Sequence, residues 1–130
     1  METILLVQLL GALFGLLAVL FGAFGAHKLK KSLSEDQLKS FDTGVKYQMF
    51  HAILLLILGF NLGFTTALEK NMAYCFILGT FLFSFSIYGL VIAASKGKSL
   101  KFLGPITPLG GLLLIIGWGL LFYSFIVNMV

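Results

Sequence analysis

Charged residues divide the chain into four long apolar runs. No Asp, Glu, Lys or Arg occurs within residues 3–26, 47–68, 71–95 and 102–130. An α-helix needs about 20 apolar residues to cross a hydrocarbon core of about 30 Å, so each run is long enough to cross once. The pattern predicts a single all-α membrane domain over residues 1–130. It is a four-transmembrane-helix bundle with spans at about 3–26, 47–68, 71–95 and 106–129.

The composition places the chain in a membrane rather than in water. Apolar residues make up 59% of the 130 residues, charged residues make up 11%, and the mean hydropathy is +1.05. An ordinary soluble domain carries about 25% charged residues, and a much smaller share cannot cover the surface of a globule. These values exclude a water-soluble monomer, a disordered chain and a fibrous repeat. The single cysteine, Cys75, excludes an intramolecular disulfide.

The lysines are concentrated in two of the connecting segments. Five lie in the loop at 27–46 and three in the loop at 96–105, whereas the link between the second and third spans holds only Lys70. The positive-inside rule therefore predicts that both lysine-rich loops are cytoplasmic and that both termini lie outside. Because the lysines follow the first run, we expect that run to be a span and not a cleaved signal peptide.

The charge pattern also bears on partners. The net charge is +4, but the chain has no arginine and its lysines flank the membrane. A nucleic-acid-binding surface usually carries arginines and aromatic residues on one solvated face, so no nucleic-acid partner is expected. Membrane lipids are the predicted partners, with weak attraction between the lysines and anionic lipids of the inner leaflet.

Small residues form a stripe on the first span and recur on the second. The positions are three or four residues apart, which keeps them on one helical face: Gly11, Gly15, Ala18, Gly22 and Gly25, with Gly59 and Gly63 on the second span. Helices in lipid associate through close contact that small residues permit. The stripe therefore predicts a packing seam, either inside the bundle or between protomers. Because 130 residues enclose little interior, we also expect a homo-oligomer.

The first lysine-rich loop carries a helix-start signal. Ser34 is followed three residues later by Gln37, with two acids between them, which is typical of a capping box. Apolar residues at helical spacing follow it. The pattern predicts an amphipathic helix along the cytoplasmic interface that bends near Gly44, or alternatively one long helix continuous with the second span.

Both prolines of the chain precede the fourth span. They belong to a turn that we expect to line a site, and its structural residues are Gly104, Pro105, Pro108, Gly110 and Gly111. Thr107 before Pro108 fits an N-cap and a first helical position, because proline lacks the amide that would be unpaired there.

Polar side chains of all four spans fall in the half of the membrane next to the lysines. These residues form a candidate polar pocket: His27, Tyr47, Gln48, His51, Ser84, Tyr88 and Thr107. Polar groups in a bilayer usually face the bundle interior and pair with one another. The set therefore has two interpretations, a pocket open to the cytoplasm or hydrogen bonds that only join helices.

The residue types give little support to metal binding or to catalysis. No Asp or Glu lies in any of the charge-free runs, so two histidines lack further metal ligands, and we predict no metal and no cofactor. His51 with Ser84 or Tyr88 is the one pair from which an enzyme could be built. No acid is present to orient the imidazole, so no catalytic residue is assigned.

Four motifs together resemble a known family. They are Gly22-Ala-Phe-Gly-Ala-His27, Tyr47-Gln-Met-Phe-His51-Ala52, Phe83-Ser-Phe-Ser-Ile-Tyr88, and Gly104-Pro-Ile-Thr-Pro-Leu-Gly-Gly111 with Gly117-Trp118. They cover nearly the whole chain and are similar to the YwdK/YgdD-like family. The resemblance implies a small four-span protein of a bacterial plasma membrane and implies no activity, because that family's function is unknown. Phe85 departs from its pattern, since members often have Gly between the two serines.

Three hypotheses for function follow. The first is a non-enzymatic accessory or lipid-interacting bundle. The second is a binder or transporter of a small solute or a lipid headgroup that uses the candidate polar pocket. The third is a membrane enzyme that uses His51 with Ser84 or Tyr88, which requires a hydrogen bond from the imidazole to the hydroxyl, directly or through one water.

Overall fold

The fold consists of four long helices, as the charge-free runs predict. The computed structural model describes residues 1–129, and of Ala26 only the backbone. The helices are α1 (Glu2–Leu20), α2 (Ala26–Leu29), α3 (Glu35–Asn61), α4 (Ala67–Ser95) and α5 (Ile106–Met129). A π-helical turn at Phe21–Gly25 joins α1 to α2 in one span, and a 3-10 turn at Lys101–Leu103 precedes α5. Four helical segments are thus long and apolar enough to cross a membrane.

The spans pack in the order α1, α3, α4, α5. Helix α1 lies along α3, α3 lies along α4, and α4 lies along α5. Helices α3 and α4 are central and the most buried, whereas α1 and α5 present many apolar side chains outward. We call the end at which α3 and α5 begin the lysine-rich end, since it carries eight of the nine lysines, and the other end the opposite end.

The amphipathic segment of the first loop is the beginning of α3. The capping box is confirmed: the Gln37 backbone N–H donates to Ser34 Oγ at 3.2 Å, and the Ser34 backbone N–H donates to Gln37 Oε1 at 2.9 Å. From Glu35 the helix continues without a break to Asn61. Of the two interpretations of this segment, the continuous helix is therefore correct, and the separate interfacial helix is wrong.

Packing explains why α3 does not bend near Gly44. The apolar face of its first turns packs on α4 rather than on a membrane surface, with Phe41 buried against Tyr88 and Val91. Gly44 is a site of close approach, because a Cβ there would lie 2.8 Å from the Tyr88 ring. A glycine used in this way fixes the position of the helix instead of acting as a hinge.

The connection between α3 and α4 is longer than the charge-free runs indicate. Helix α3 ends at Asn61, and Gly63 lies beyond it, exposed and away from any seam. Helix α4 begins at Ala67, four residues before the expected start at 71, because Thr66 caps it by accepting the Glu69 backbone N–H at 3.2 Å. Counting charge-free residues missed this start, since Glu69 and Lys70 belong to the first turn of the helix.

The small-residue stripe of α1 and the following turn packs within the chain, against α3. A Cβ at Gly11 would lie 3.1 Å from Leu56 and 3.2 Å from the Ala52 carbonyl oxygen. Farther along, Gly22 faces Val45 and Gly25 faces Phe41 at 3.2 and 3.3 Å, while Gly15 has more room and Ala18 is buried. Gly59 of α3 meets Gln8, whose Nε2 donates to the Gly59 carbonyl oxygen at 3.1 Å. The stripe therefore joins α1 to α3.

A second seam joins α4 to α5 through other glycines. Gly79 of α4 faces Leu114, and Gly117 of α5 faces the Phe76 ring at 2.8 Å from a built Cβ. Gly110 is the tightest, because its Cβ would meet the Phe83 backbone amide. Gly111 faces the Phe83 ring at ordinary contact distance.

Helix α5 begins one residue earlier than its expected cap. Its first turn includes Ile106 and Thr107, and the Leu109 backbone N–H donates to the Pro105 carbonyl oxygen at 3.3 Å. The expectation that Thr107 caps the helix is therefore wrong. Pro108 is tolerated at the third position because the first four amides of a helix have no partner inside it. Gly104 and Pro105 form the exposed turn before the helix.

We predict that Gly110→Ala lowers the free energy of unfolding by about 1–3 kcal/mol, because the added methyl would push the α4 backbone away from α5. The measurement is loss of helical circular dichroism with denaturant in mild detergent.

Gly119→Ala is the matched control on the same helix. No heavy atom lies within 4 Å of a Cβ built there, and alanine favours a helix over glycine by about 1 kcal/mol, so this variant should be neutral or more stable. Equal stability of the two variants would contradict the close approach of α4 and α5.

Candidate functional site

A buried glutamine connects three helices near the lysine-rich half of the bundle. Gln48 of α3 is fully buried, and its Nε2 donates to the Phe14 carbonyl oxygen of α1 at 2.8 Å. Its Oε1 accepts from the Tyr88 hydroxyl of α4 at 2.7 Å. The amide thus uses both of its ends between helices. Rings of Phe21 and Phe41 pack against Tyr88 at centroid distances of 5.2 and 5.1 Å, and Tyr88 is buried with Gln48.

Two serines of α4 make separate connections. Ser84 is fully buried, and its Oγ donates to the Gly44 carbonyl oxygen of α3 at 2.7 Å. Ser86 Oγ donates to the Phe83 carbonyl oxygen at 3.0 Å and lies 2.5 Å from Thr107 Oγ1 of α5. Because a hydroxyl has one proton, the Ser86 proton goes to the carbonyl and Thr107 donates to Ser86. These bonds join α3 to α4 and α4 to the start of α5.

His51 has a partner on each ring nitrogen. Its Nε2 accepts from the Trp118 indole N–H of α5 at 3.0 Å, and its Nδ1 lies 2.6 Å from the Tyr47 carbonyl oxygen. An indole N–H can only donate, and a carbonyl oxygen can only accept. These contacts therefore assign the neutral tautomer with the proton on Nδ1.

A groove opens beside this imidazole. It has a volume of about 400 Å³ and is lined by Tyr47, His51, Phe83, Leu114 and Trp118, among others. The polar side-chain atoms that line it belong to His51, Tyr47 and Trp118, and His51 is 4% exposed. Trp118 lies about 18 Å along a helix about 36 Å long, so the groove opens near the middle of the span. His51 bonds to Trp118 and therefore lies at the same depth.

The seven residues of the candidate polar pocket do not line one cavity. Gln48, Ser84 and Tyr88 are buried and bonded to other helices, and Thr107 is bonded to Ser86. Tyr47 and His51 line the groove. His27 is exposed at the lysine-rich end, apart from both groups. The geometry divides the set into joints between helices and one groove.

Sequence reasoning missed two participants in this arrangement. The carbonyl of Phe14 carries no signal, because any backbone oxygen can accept a hydrogen bond. Trp118 did carry a signal, since an indole N–H in the apolar middle of a helix needs an acceptor. His51 is the acceptor that the structure supplies.

The geometry does not supply the hydrogen bond that an enzyme built on His51 requires. Both ring nitrogens bond to groups other than Ser84 and Tyr88, and each of those hydroxyls donates elsewhere. Among residues 1–129, no three His, Cys, Asp or Glu side chains lie together as a set of metal ligands. Among the described residues the imidazole therefore activates neither hydroxyl, and the groove presents a mostly apolar surface beside it.

Fold and site together define an all-α integral membrane protein. The chain belongs to the family described as Protein of unknown function (DUF423), whose model matches residues 21–111. It is 43% identical over 111 residues to a UPF0382 membrane protein of Staphylococcus aureus (strain bovine RF122 / ET3-1), covering 85% of this chain and 86% of the relative. It is 41% identical over 117 residues to one of Staphylococcus haemolyticus (strain JCSC1435), covering 89% and 91%. No solved structure shows a significant match.

The single tryptophan reports whether the groove meets lipid or water. Because Trp118 is near mid-span and 47% exposed, we expect brominated acyl chains in nanodiscs to quench its fluorescence strongly and aqueous iodide to quench it little. The measurement is a pair of quenching titrations on the full chain. Strong quenching by iodide with weak quenching by brominated lipid would contradict this expectation and would favour a pocket open to water.

Proposed function

We propose that this protein is a non-enzymatic, lipid-interacting helical bundle of the bacterial plasma membrane, and that its lysine-rich end attracts anionic lipids. The observation that carries the proposal is the exposure of all eight lysines at that end. Only three carboxylates share the end with them. Within the described residues the one ion pair joins Lys46 to Asp42 at 3.0 Å, which leaves seven lysines without an acidic partner.

Membrane electrostatics supplies the attraction between this end and anionic lipids. A lysine beside an anionic leaflet contributes about 1 kcal/mol, and the attraction weakens within about 10 Å in ordinary salt. Lysines at the ends of spans lie within that distance of the headgroups. The buried polar residues support the non-enzymatic part of the proposal, because hydrogen bonds between helices already use their polar atoms.

The same lysines support an orientation. By the positive-inside rule, the lysine-rich end is cytoplasmic and both termini are outside. The relatives are named as membrane proteins of bacteria, which supports a bacterial membrane location. The affiliation with the YwdK/YgdD-like family is also part of this proposal, and the motifs that contain His27, His51 and Tyr88 support it.

Labelling of single cysteines tests the orientation. In a Cys75→Ser background, Lys98→Cys and Lys70→Cys place one thiol at each end of the bundle. A membrane-impermeant maleimide added to intact cells should label position 70 and leave position 98 unlabelled until the cells are opened. The reverse pattern would show that the lysine-rich end is outside.

Lipid retention tests the anionic-lipid proposal. Native mass spectrometry of the full chain should show more phosphatidylglycerol than phosphatidylcholine retained. Replacing Lys96, Lys98 and Lys101 by Gln should reduce that preference at least about tenfold, because three charges of about 1 kcal/mol each are removed.

Lys70→Gln is the control at the opposite end, and it should leave the preference within about twofold of the native value. Added salt should weaken the preference of the native chain. An unchanged preference in the triple variant would contradict the proposal.

A second function remains as a proposal for the groove. A small solute or a lipid headgroup would bind beside His51 and Trp118, and the groove's volume of about 400 Å³ supports this candidate. Quenching of Trp118 by iodide would favour it over the first.

A homo-oligomer also stays a prediction, and because the α1 stripe is used inside the chain, another face would have to form it.

A further inference from the structure

A larger cavity lies at the opposite end of the bundle, away from the groove. Its volume is about 640 Å³, and residues of α3, α4 and α5 line it. The walls are mostly apolar and include Met72 of α4 and Leu121 of α5. Ile57 and Phe125, which also line it, are 53% and 59% exposed, so the cavity opens toward the surrounding bilayer. This size is within the range of small-molecule sites, about 300–1,000 Å³.

One carboxylate oxygen at this apolar cavity has no hydrogen-bond partner among the described residues. Glu69 Oε2 is buried and accepts no hydrogen bond from any described residue. Lys70 forms no ion pair with the carboxylate, because the one ion pair in the described chain is at the lysine-rich end. The other such oxygen in the described chain is Thr80 Oγ1, a neutral hydroxyl that lines neither the cavity nor the groove. A buried carboxylate oxygen is normally satisfied, so the orphaned Glu69 oxygen beside an open cavity indicates a donor from outside the chain.

The starts of α3 and α4 carry the same capping pattern but use its third residue differently. Thr66 and Glu69 have the same spacing as Ser34 and Gln37, and in both pairs the hydroxyl accepts the amide of the third residue. At α3 the Gln37 side chain also returns to the Ser34 amide and completes the capping box. At α4 the described chain shows no such return, and the Glu69 side chain lines the cavity instead.

We propose that the cavity binds one lipid of the surrounding bilayer that carries a primary ammonium headgroup, with an acyl chain against the apolar walls and an ammonium N–H donating to Glu69 Oε2. The opening toward the bilayer admits a lipid, and the walls match a hydrocarbon chain. An ammonium supplies three N–H donors and a positive charge, which are what the orphaned oxygen lacks. A choline headgroup has the charge but no N–H, and a glycerol headgroup on an anionic lipid lacks the charge.

The neighbouring polar residues suit the rest of such a headgroup. Asn61 and Asn128 also line the cavity, and each has a side-chain amide that can donate to a phosphate oxygen. This site is separate from the anionic-lipid surface proposed above, since it lies at the other end and uses an acid rather than lysines.

Photo-crosslinking of the full chain in phosphatidylcholine nanodiscs tests the proposal. A small fraction of either phosphatidylethanolamine or phosphatidylglycerol carries a photoreactive group on the acyl chain, and labelled peptides are mapped by mass spectrometry. We expect the ethanolamine lipid to label the segments containing Met72 and Leu121. Glu69→Gln should reduce this labelling about tenfold, because it removes a charge-assisted hydrogen bond and keeps the shape of the side chain.

Glu2→Gln is the matched control, since Glu2 is an exposed acid at the same end and does not line the cavity. It should leave the labelling unchanged, and circular dichroism verifies that both variants are helical. The native chain provides a test that needs no variant: equal labelling by the two lipids would overturn the proposal. Full labelling of Glu69→Gln, or no labelling of the cavity segments by either lipid, would also overturn it.

Discussion

The hydrogen bonds of Gln48 are the contacts on which the arrangement of the first three spans depends. Apolar surface gives helices little reason to associate in lipid, because the tails are as apolar as the side chains. A buried amide is different, since separating the helices would leave its donor and its acceptor unpaired in hydrocarbon. By bonding to the Phe14 carbonyl and the Tyr88 hydroxyl, Gln48 fixes α1 and α4 relative to α3. Bonds of this kind select one packing among many of similar contact energy.

Glycine permits those bonds to form at the observed distances. The Ser84 hydroxyl reaches the Gly44 carbonyl because α3 and α4 approach closely there, and a Cβ at Gly44 would meet the Tyr88 ring. The same residue thus supplies an acceptor and makes room for the tyrosine that bonds to Gln48. Close approach and hydrogen bonding are therefore one constraint at this point of the bundle. Adding a hydroxyl or a methyl group at this contact would disturb both the close approach and the hydrogen bonds.

The four spans could be predicted from the sequence because the hydrophobicity that marks a span is a sum over its own residues. A charge-free run of sufficient length has few alternatives to a transmembrane helix, and the capping box at Ser34 is a local pattern that needs no tertiary context. The sequence could not distinguish a continuous α3 from a separate interfacial helix, because the continuous helix depends on Phe41 packing against Tyr88 and Val91 of another helix. The site shows the same limit. The polar residues were identified by type, but their partners were a carbonyl at Phe14 and an indole at Trp118, and sequence spacing does not encode such pairs.

A buried polar residue that has hydrogen-bond partners inside the chain is weak evidence for a ligand site. A buried polar residue without such a partner is stronger evidence. Gln48, Ser84 and Tyr88 look like a site in the sequence, yet their polar atoms bond to other helices and have little left to offer a ligand. Glu69 does not look like a site, because its spacing from Thr66 is that of an ordinary cap. In the structure its buried oxygen lacks a donor beside an apolar cavity that opens to the bilayer. Two buried side-chain oxygens of the described residues lack a partner, Glu69 Oε2 and Thr80 Oγ1. The Glu69 oxygen is the informative one, because it belongs to a carboxylate and lines a cavity from which something outside the chain can reach it.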